Sequence, residues 1–370
     1  MSTLTTKTNI NIPVFEPTID KFLDRTTVLY GPSGSGKTVY VKYILDILRS
    51  EIDQVCVISP SEQSNKAYEG IVHPLLIHDR LWEANPDKPE DEDEKRGAIR
   101  FLKKIWDRQD MASSTYNLVN QIETLRGVYQ KLPAQYAAND RVTHIIAATK
   151  SKIISVRAIQ DSAIRDEKTH SIKKMAERAL IAVYKKQIIE GIDYLPNSAL
   201  TEQEAIVVRN IKLNPRLLII FDDCAAMLKP MFNREIFKKL FYQNRHSFIS
   251  VIVCCQDDSD LPPHIRKNTF TSIYTHPNVC TSNFERRSNG YSKTVQKKVL
   301  DSLSTIFVGH RKMVYLRDDP SRQEVYHTTA KMPPRKMFGS AELIALCNRI
   351  SVDGCKMDRN NPYFKSYSAH

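Results

Sequence analysis

The chain has 370 residues, 41% apolar and 26% charged, which excludes a largely disordered polymer and leaves room for one core with a large insertion or two unequal domains. Lys and Arg outnumber Asp and Glu by 54 to 42, a net charge of +12 that favours an anionic partner, nucleic acid before a membrane surface. No apolar run approaches the ~20 residues that span a bilayer, and the opening MSTLTTKTNINIPVFEP lacks a signal-peptide stretch.

In chain order, Thr26–Tyr30 (TTVLY) is a short β-rich run that ends in GPSGSGKT. An amphipathic pattern follows, with Val39, Val41, Tyr43, Ile44, Ile47 and Leu48 separated by Lys42, Asp46 and Arg49, so the order is strand, loop, helix. Gln54–Ser59 (QVCVIS) closes a βαβ unit and stops at Pro60 and Ser61. From about Trp82 the character changes. Pro86, Pro89 and the acidic run Glu90–Glu94 read as an exposed hinge, and helical patterns then occupy Ile99–Arg108, Tyr116–Lys131 and roughly Ile145–Ile192.

Strand signals return at Arg216–Phe221 (RLLIIF), Phe248–Cys255 (FISVIVCC), Phe270–Tyr274, Thr305–Val308 and Lys312–Arg317, with helices over Glu235–Gln243 and Ser292–Leu303. Continuous apolar strands belong to a sheet covered on both faces. The expectation is therefore an α/β fold with a mostly parallel central sheet and an α-helical insertion. The expected division is 1–82 and 206–335 for the two parts of the core, 83–205 for the insertion, and 336–370 for a C-terminal helix and tail. The seven cysteines form no CxxC pair, and Cys56, Cys254 and Cys255 fall inside apolar runs; reduced, buried thiols in an intracellular protein are expected, not disulfides or a zinc site. His73 and His78 stand five apart around Pro74, which suits loop residues better than metal ligands.

Gly31-Pro32-Ser33-Gly34-Ser35-Gly36-Lys37-Thr38 fits G-x-x-x-x-G-K-[ST] at every fixed position. Glycines let the backbone approach phosphate oxygens, and the helix that opens here, from Lys37 through Val39, adds free N–H groups and a positive dipole. Lys37 is expected on the β- and γ-phosphates of ATP and the Thr38 hydroxyl on Mg²⁺. Because Gly36-Lys37-Thr38 completes this loop, its glycines are not a dinucleotide fingerprint. Asp222 and Asp223 end the apolar run LLIIF, where carboxylates are unfavourable unless something positive meets them. Mg²⁺ on Asp222 and a water-polarising role for Asp223 answer that need; a helix N-cap by either is the alternative. Gln256 ends FISVIVCC, on the side of an open α/β sheet where ligands bind, and can contact a γ-phosphate or water unless it merely starts a loop.

GPSGSGKT, LLIIFDDC and NRHSFISVIVCCQDDSDLPPHIRKN together resemble the genome-packaging ATPases of large double-stranded DNA viruses, in the FtsK–HerA superfamily of DNA-pumping motors. ISPSEQSNKAYEG is similar to the second strand and loop of the viral branch. The resemblance spans about 20–80 and 210–330 and omits the helical insertion. It implies a ring, hexameric or pentameric, that moves double-stranded DNA into a preformed capsid, with capsid or portal-vertex proteins as partners and the host cell's site of virus assembly as its location. It carries Lys37 and Thr38 over as phosphate and Mg²⁺ ligands, Asp222 and Asp223 as the Walker B pair, and Gln256 as the sensor. Arg245 matches an arginine that acts in trans on a neighbour's nucleotide, and Arg266 is a second candidate; both also read as surface salt-bridge or phosphate-contact arginines. The rival functions are a helicase-like, repair or plasmid-transfer translocase of the same superfamily, a nucleotide kinase, and a scaffold that binds nucleotide only to assemble.

Overall fold

The computed structural model describes residues 12–78, 93–137, 140–195, 199–317, 319 and 323–356. The chain divides into two compact units, one built from the segment up to Trp106 together with the segment from Arg216 onward, the other from Asp107–Pro215.

The first unit is organised by an eight-stranded sheet in the order β3-β2-β4-β5-β1-β6-β7-β8. Its strands are β1 (Thr26–Tyr30), β2 (Gln54–Ile58), β3 (Ile77–His78), β4 (Leu217–Phe221), β5 (Ile249–Cys255), β6 (Thr271–Tyr274), β7 (Lys312–Leu316) and β8 (Val325–Thr328). β1 to β6 run parallel, while β7 and β8 return antiparallel at one edge. Registers pair Tyr30 with Cys255 and Tyr274, and Ile58 with Phe221, so the parallel strands end together along one rim. Because β7 is reversed, its first residue, Lys312, starts at that same rim.

Every residue of β1, β4, β5 and β6 is buried. Alternate side chains feed two cores. Val28, Tyr30, Ile219, Phe221, Val251, Val253 and Cys255 face one; Leu29, Leu218, Ile220, Ile252 and Cys254 face the other. This is why these strands read as unbroken apolar runs and not as alternating ones.

The helices are α1 (Lys37–Leu48), α2 (Glu62–Asn65), α3 (Asp93–Val119), α4 (Ile122–Gln130), α5 (Ala134–Ala137), α6 (Asp140–Val156), α7 (Ser162–Gly191), α8 (Glu202–Arg209), α9 (Ala225–Leu228), α10 (Glu235–Tyr242), α11 (Pro263–Asn268), α12 (Pro277–Glu285), α13 (Lys293–Ile306) and α14 (Ala341–Lys356). α1 covers one face of the sheet with Tyr40, Val41, Ile44, Leu45 and Leu48. α10, α12 and α13 cover the other through Phe237, Leu240, Cys280, Phe284, Val299 and Ile306. The second unit holds only helical elements among its described residues, around a core of Val119, Leu125, Val128, Tyr129, Tyr184, Ile188 and Val207. α8 there is fixed by a capping box between Thr201 and Glu204, whose carboxylate also pairs with Lys131.

The structure corrects three local readings. Thr305–Val308 is not a strand: α13 runs through Ile306, because Val299, Ser302 and Ile306 continue a buried helical stripe that outweighs the β-branched dipeptide Thr305-Ile306. The helical stretch 145–192 is two helices, since Asp161 starts α7 by accepting hydrogen bonds from the Ala163 and Ile164 N–H groups. Of the expected acidic hinge, Pro86, Pro89 and residues 90–92 lie outside the described residues, and Asp93 already opens α3. Among the described residues, six cysteines, including Cys56, Cys254 and Cys255, are free and buried. No helix among the described residues is long and apolar enough to cross a membrane.

Candidate active site

The loop between β1 and α1 sits at the rim where the parallel strands end. Gly31 donates its N–H to the Cys255 carbonyl at 3.1 Å, which seats the loop over β5. Thr275, just past β6, donates to the Tyr30 carbonyl through both N–H and Oγ1, and its Oγ1 lies 2.6 Å from Ser35 Oγ. Gly31 has φ 155°, and a Cβ there would stand 1.9 Å from Thr275 Oγ1. Gly36 turns into α1 at φ 89°, a left-handed conformation that suits glycine. Lys37 is buried at the start of α1 and donates to the carbonyls of Gly31 at 2.6 Å and Pro32 at 3.0 Å. Pro32, Ser33 and Gly34 form the exposed crest, and Val39 is 38% exposed on α1.

Because the Gly31 position admits no Cβ, Gly31→Ala should damage this loop selectively. Overpacking of this kind costs about 1–3 kcal/mol. The expected result is a lower melting temperature together with at least tenfold weaker binding of a fluorescent ATP analogue, about 1.4 kcal/mol. Unchanged melting and unchanged binding would contradict the seating of Gly31 against Thr275.

Beside the loop stands Asp222, which is buried (5% exposed) directly after β4. Its Oδ2 accepts from Thr38 Oγ1 at 3.2 Å and from Tyr68 Oη at 2.8 Å. Burial, reinforced by the neighbouring Asp222 charge, pushes the Tyr68 hydroxyl well above its ordinary pKa, so it stays a donor. Asp223 is exposed at φ 56°, a left-handed conformation that Asp tolerates better than most residues, and its Oδ1 accepts from Gln256 Nε2 at 3.2 Å. Asp222 and Asp223 are thus divided by one peptide into a buried carboxylate beside Thr38 and an exposed one beside Gln256.

Thr38 and Asp222 supply a hydroxyl and a carboxylate, the hard oxygen donors that Mg²⁺ prefers. No cluster of three or more His, Cys, Asp or Glu exists among the described residues, so a metal here would complete its shell with phosphate and water, the usual habit of Mg²⁺. The residues present fit that group. His73 instead accepts from the Leu75 N–H and faces Asn348, and His78 lies in β3.

Gln256 opens a turn of defined geometry. The Asp260 carboxylate accepts from the N–H groups of Gln256 and Asp257, both at 3.0 Å. Asp258 is fully buried and bound bidentately by Arg286, Nε at 2.6 Å and Nη2 at 2.9 Å. Arg266 donates to the carbonyls of Asp258 and Leu261, lies 3.6 Å from the Asp258 carboxylate and reaches Ser288 Oγ at 3.1 Å. With its side chain only 5% exposed, Arg266 holds the turn from inside, its guanidinium facing Asp258 and the turn carbonyls of its own chain. Arg245 differs: it is exposed on the turn Asn244–Ser247 that precedes β5, at the opposite rim from Gln256.

Several residues at the rim lay beyond sequence reasoning. Lys312 donates to the Ser35 carbonyl at 2.7 Å, and partial burial lowers its ammonium pKa. Thr275 and Arg286 are likewise delivered by sheet order and loop packing, and no spacing in the chain marks them; Tyr68 lies in ISPSEQSNKAYEG, where the resemblance marks the loop but not this side chain.

No family model matches the chain. The uncharacterized protein B354L of African swine fever virus is 46% identical over 366 residues, 98% of each chain. Among solved structures, B204, the DNA-packaging ATPase from Sulfolobus turreted icosahedral virus, covers 84% of this chain and 98% of its own at 12% identity and a TM-score of 0.38. The plasmid coupling protein TrwB, bound to a non-hydrolysable GTP analogue, covers 90% of this chain and 91% of its own at 11% identity and a TM-score of 0.36.

Proposed function

We propose that this chain, which belongs to the family of African swine fever virus protein B354L, is an ATP-hydrolysing motor that drives double-stranded DNA into a preformed viral capsid. The observation that carries the reading is the meeting of Thr38 Oγ1 with the buried Asp222 carboxylate at 3.2 Å, next to the loop that ends in Lys37 and beside the Asp223–Gln256 pair. That arrangement separates the tasks of nucleotide hydrolysis. Lys37 exchanges its two backbone carbonyls for β- and γ-phosphate oxygens. Thr38 and Asp222 would hold Mg²⁺, which supplies positive charge to the phosphates. Asp223 accepts a proton from, or orients, the attacking water, and Gln256, hydrogen-bonded to it, registers the γ-phosphate. The DNA assignment draws on the net charge of +12 and on the resemblance of the three motifs to packaging ATPases. In this reading the chain works as a homo-oligomeric ring, hexamer or pentamer, in the infected cell, docked on capsid or portal-vertex proteins.

Two linked measurements test it. Double-stranded DNA should stimulate ATP hydrolysis, and DNA affinity should be independent of sequence and fall steeply with salt. Each neutralised phosphate contributes a log–log slope of about −0.9, so a footprint of about six contacts or more loses on the order of 10³ in affinity between about 50 and 200 mM salt. ATPase activity indifferent to DNA would sink the motor, and co-sedimentation with empty capsids separates packaging from other DNA translocation.

A further inference from the structure

The segment ISPSEQSNKAYEG follows β2 and reaches the rim of the sheet, yet the roles assigned above use none of its side chains. It is nonetheless tied to the metal-binding carboxylate. Tyr68 is fully buried in the core that includes α1, so packing fixes where its hydroxyl points. That hydroxyl meets Asp222 Oδ2 at 2.8 Å, the same oxygen that accepts from Thr38. The backbone around Tyr68 is pinned as well. Its N–H donates to Glu62 Oε1 at 2.8 Å, its carbonyl accepts from Ile71 and Val72 at 3.0 Å, and the Ile71 carbonyl accepts from the Phe338 N–H at 2.7 Å.

We propose that Tyr68 is a positioning residue whose hydroxyl holds the Asp222 carboxylate in the orientation that receives Mg²⁺, so that the loop after β2 sets the affinity of the site for the metal. Besides Tyr68, the carboxylate meets the Thr38 hydroxyl, itself a metal ligand in the reading above, and the weakly donating Cys254 thiol, so Tyr68 is the strong donor left to order it before the ion arrives. Without that donor it must first be oriented, and removal of such outer partners typically lowers metal affinity about 10–100-fold. The proposal rests on the nucleotide–metal reading given above and adds to it a residue that acts on the ion through Asp222.

The test is Tyr68→Phe, which keeps the ring in the core and deletes the hydroxyl. Equilibrium binding of a fluorescent ATP analogue is measured against Mg²⁺ concentration and again in EDTA. The midpoint in Mg²⁺ should rise about tenfold or more, while binding in EDTA stays at the wild-type value. A folded variant with an unmoved midpoint overturns the proposal, and so does an equal loss of binding in EDTA, which would mark a merely structural role. Wild-type binding that ignores Mg²⁺ would overturn the metal site itself and this proposal with it. Should the variant fail to fold, amide exchange in the wild-type protein decides the matter. Adding Mg²⁺ to the nucleotide complex should slow exchange in residues 67–72 beyond the effect of nucleotide alone, and no slowing there would refute the link.

Discussion

Lys37→Ala should cripple ATP hydrolysis while leaving the fold intact. The ammonium is buried at the first turn of α1 and already bends back over the loop, donating to the Gly31 and Pro32 carbonyls. Incoming β- and γ-phosphates carry more negative charge than those carbonyls, so the same side chain makes its strongest contacts when nucleotide arrives. Loss of a charge-assisted contact of this type costs about 2–5 kcal/mol, a fall of roughly 30- to several-thousand-fold in rate. The fold does not rest on Lys37, because the β1 and β5 strands beneath it are wholly buried. Melting of the nucleotide-free protein should therefore change little. Turnover at the wild-type rate would refute the assignment of this loop as the phosphate site.

The second large effect concerns Arg245. It stands before β5, and Gln256 stands after it. A strand of about seven residues spans roughly 23 Å at ~3.3 Å per residue, so Arg245 does not reach a γ-phosphate bound beside Gln256 in its own chain. Its electrostatic neighbours, Asp24 and Arg25, also precede a strand and lie at that far rim. An arginine inserted at a transferring phosphoryl group speeds hydrolysis by about 10³–10⁵-fold, and in the ring proposed above head-to-tail packing would bring the far rim of one subunit toward the nucleotide of the next. Arg245→Ala should thus lose nearly all activity while still binding ATP. Mixing it with Lys37→Ala subunits should restore part of the rate, because some interfaces then pair an intact Arg245 with an intact Lys37. Normal hydrolysis by fully assembled Arg245→Ala would dismiss this arginine from the reaction. Arg266 is no substitute, since its guanidinium is occupied by Asp258, Leu261 and Ser288 within its own subunit.

The parts of the molecule that could be read in advance are those whose signal is local. The strand–loop–helix at GPSGSGKT, the apolar runs of β4 and β5 and the helical periodicity of the insertion each carry their pattern within a few residues. β3 has two residues and β8 has four, with only the ends of β8 buried, and neither length holds a period. These edge strands exist because a neighbour offers hydrogen bonds, which composition does not reveal. At the site, Tyr68 meets Asp222 across 154 positions and Lys312 meets Ser35 across 277, distances that only the sheet order closes. α1 shows the same limit on a small scale. Val39 counts as part of its apolar pattern in the sequence but faces outward, while Tyr40 and Leu45 fill the core.

The fully buried carboxylate of Asp258 ties the turn after Gln256 to two arginines of unequal exposure. Arg286 grips it with two hydrogen bonds, and Arg266 closes the same turn through the Asp258 and Leu261 carbonyls. Stripping one partner from a fully buried ion pair costs about 3–5 kcal/mol, and solvent screening reduces that cost where one partner is exposed. Loss of Arg266, whose side chain is 5% exposed, would therefore strand a buried charge, whereas water can partly stand in for Arg286, which is 40% exposed, so the turn after Gln256 hangs from one dry anchor and one wet one.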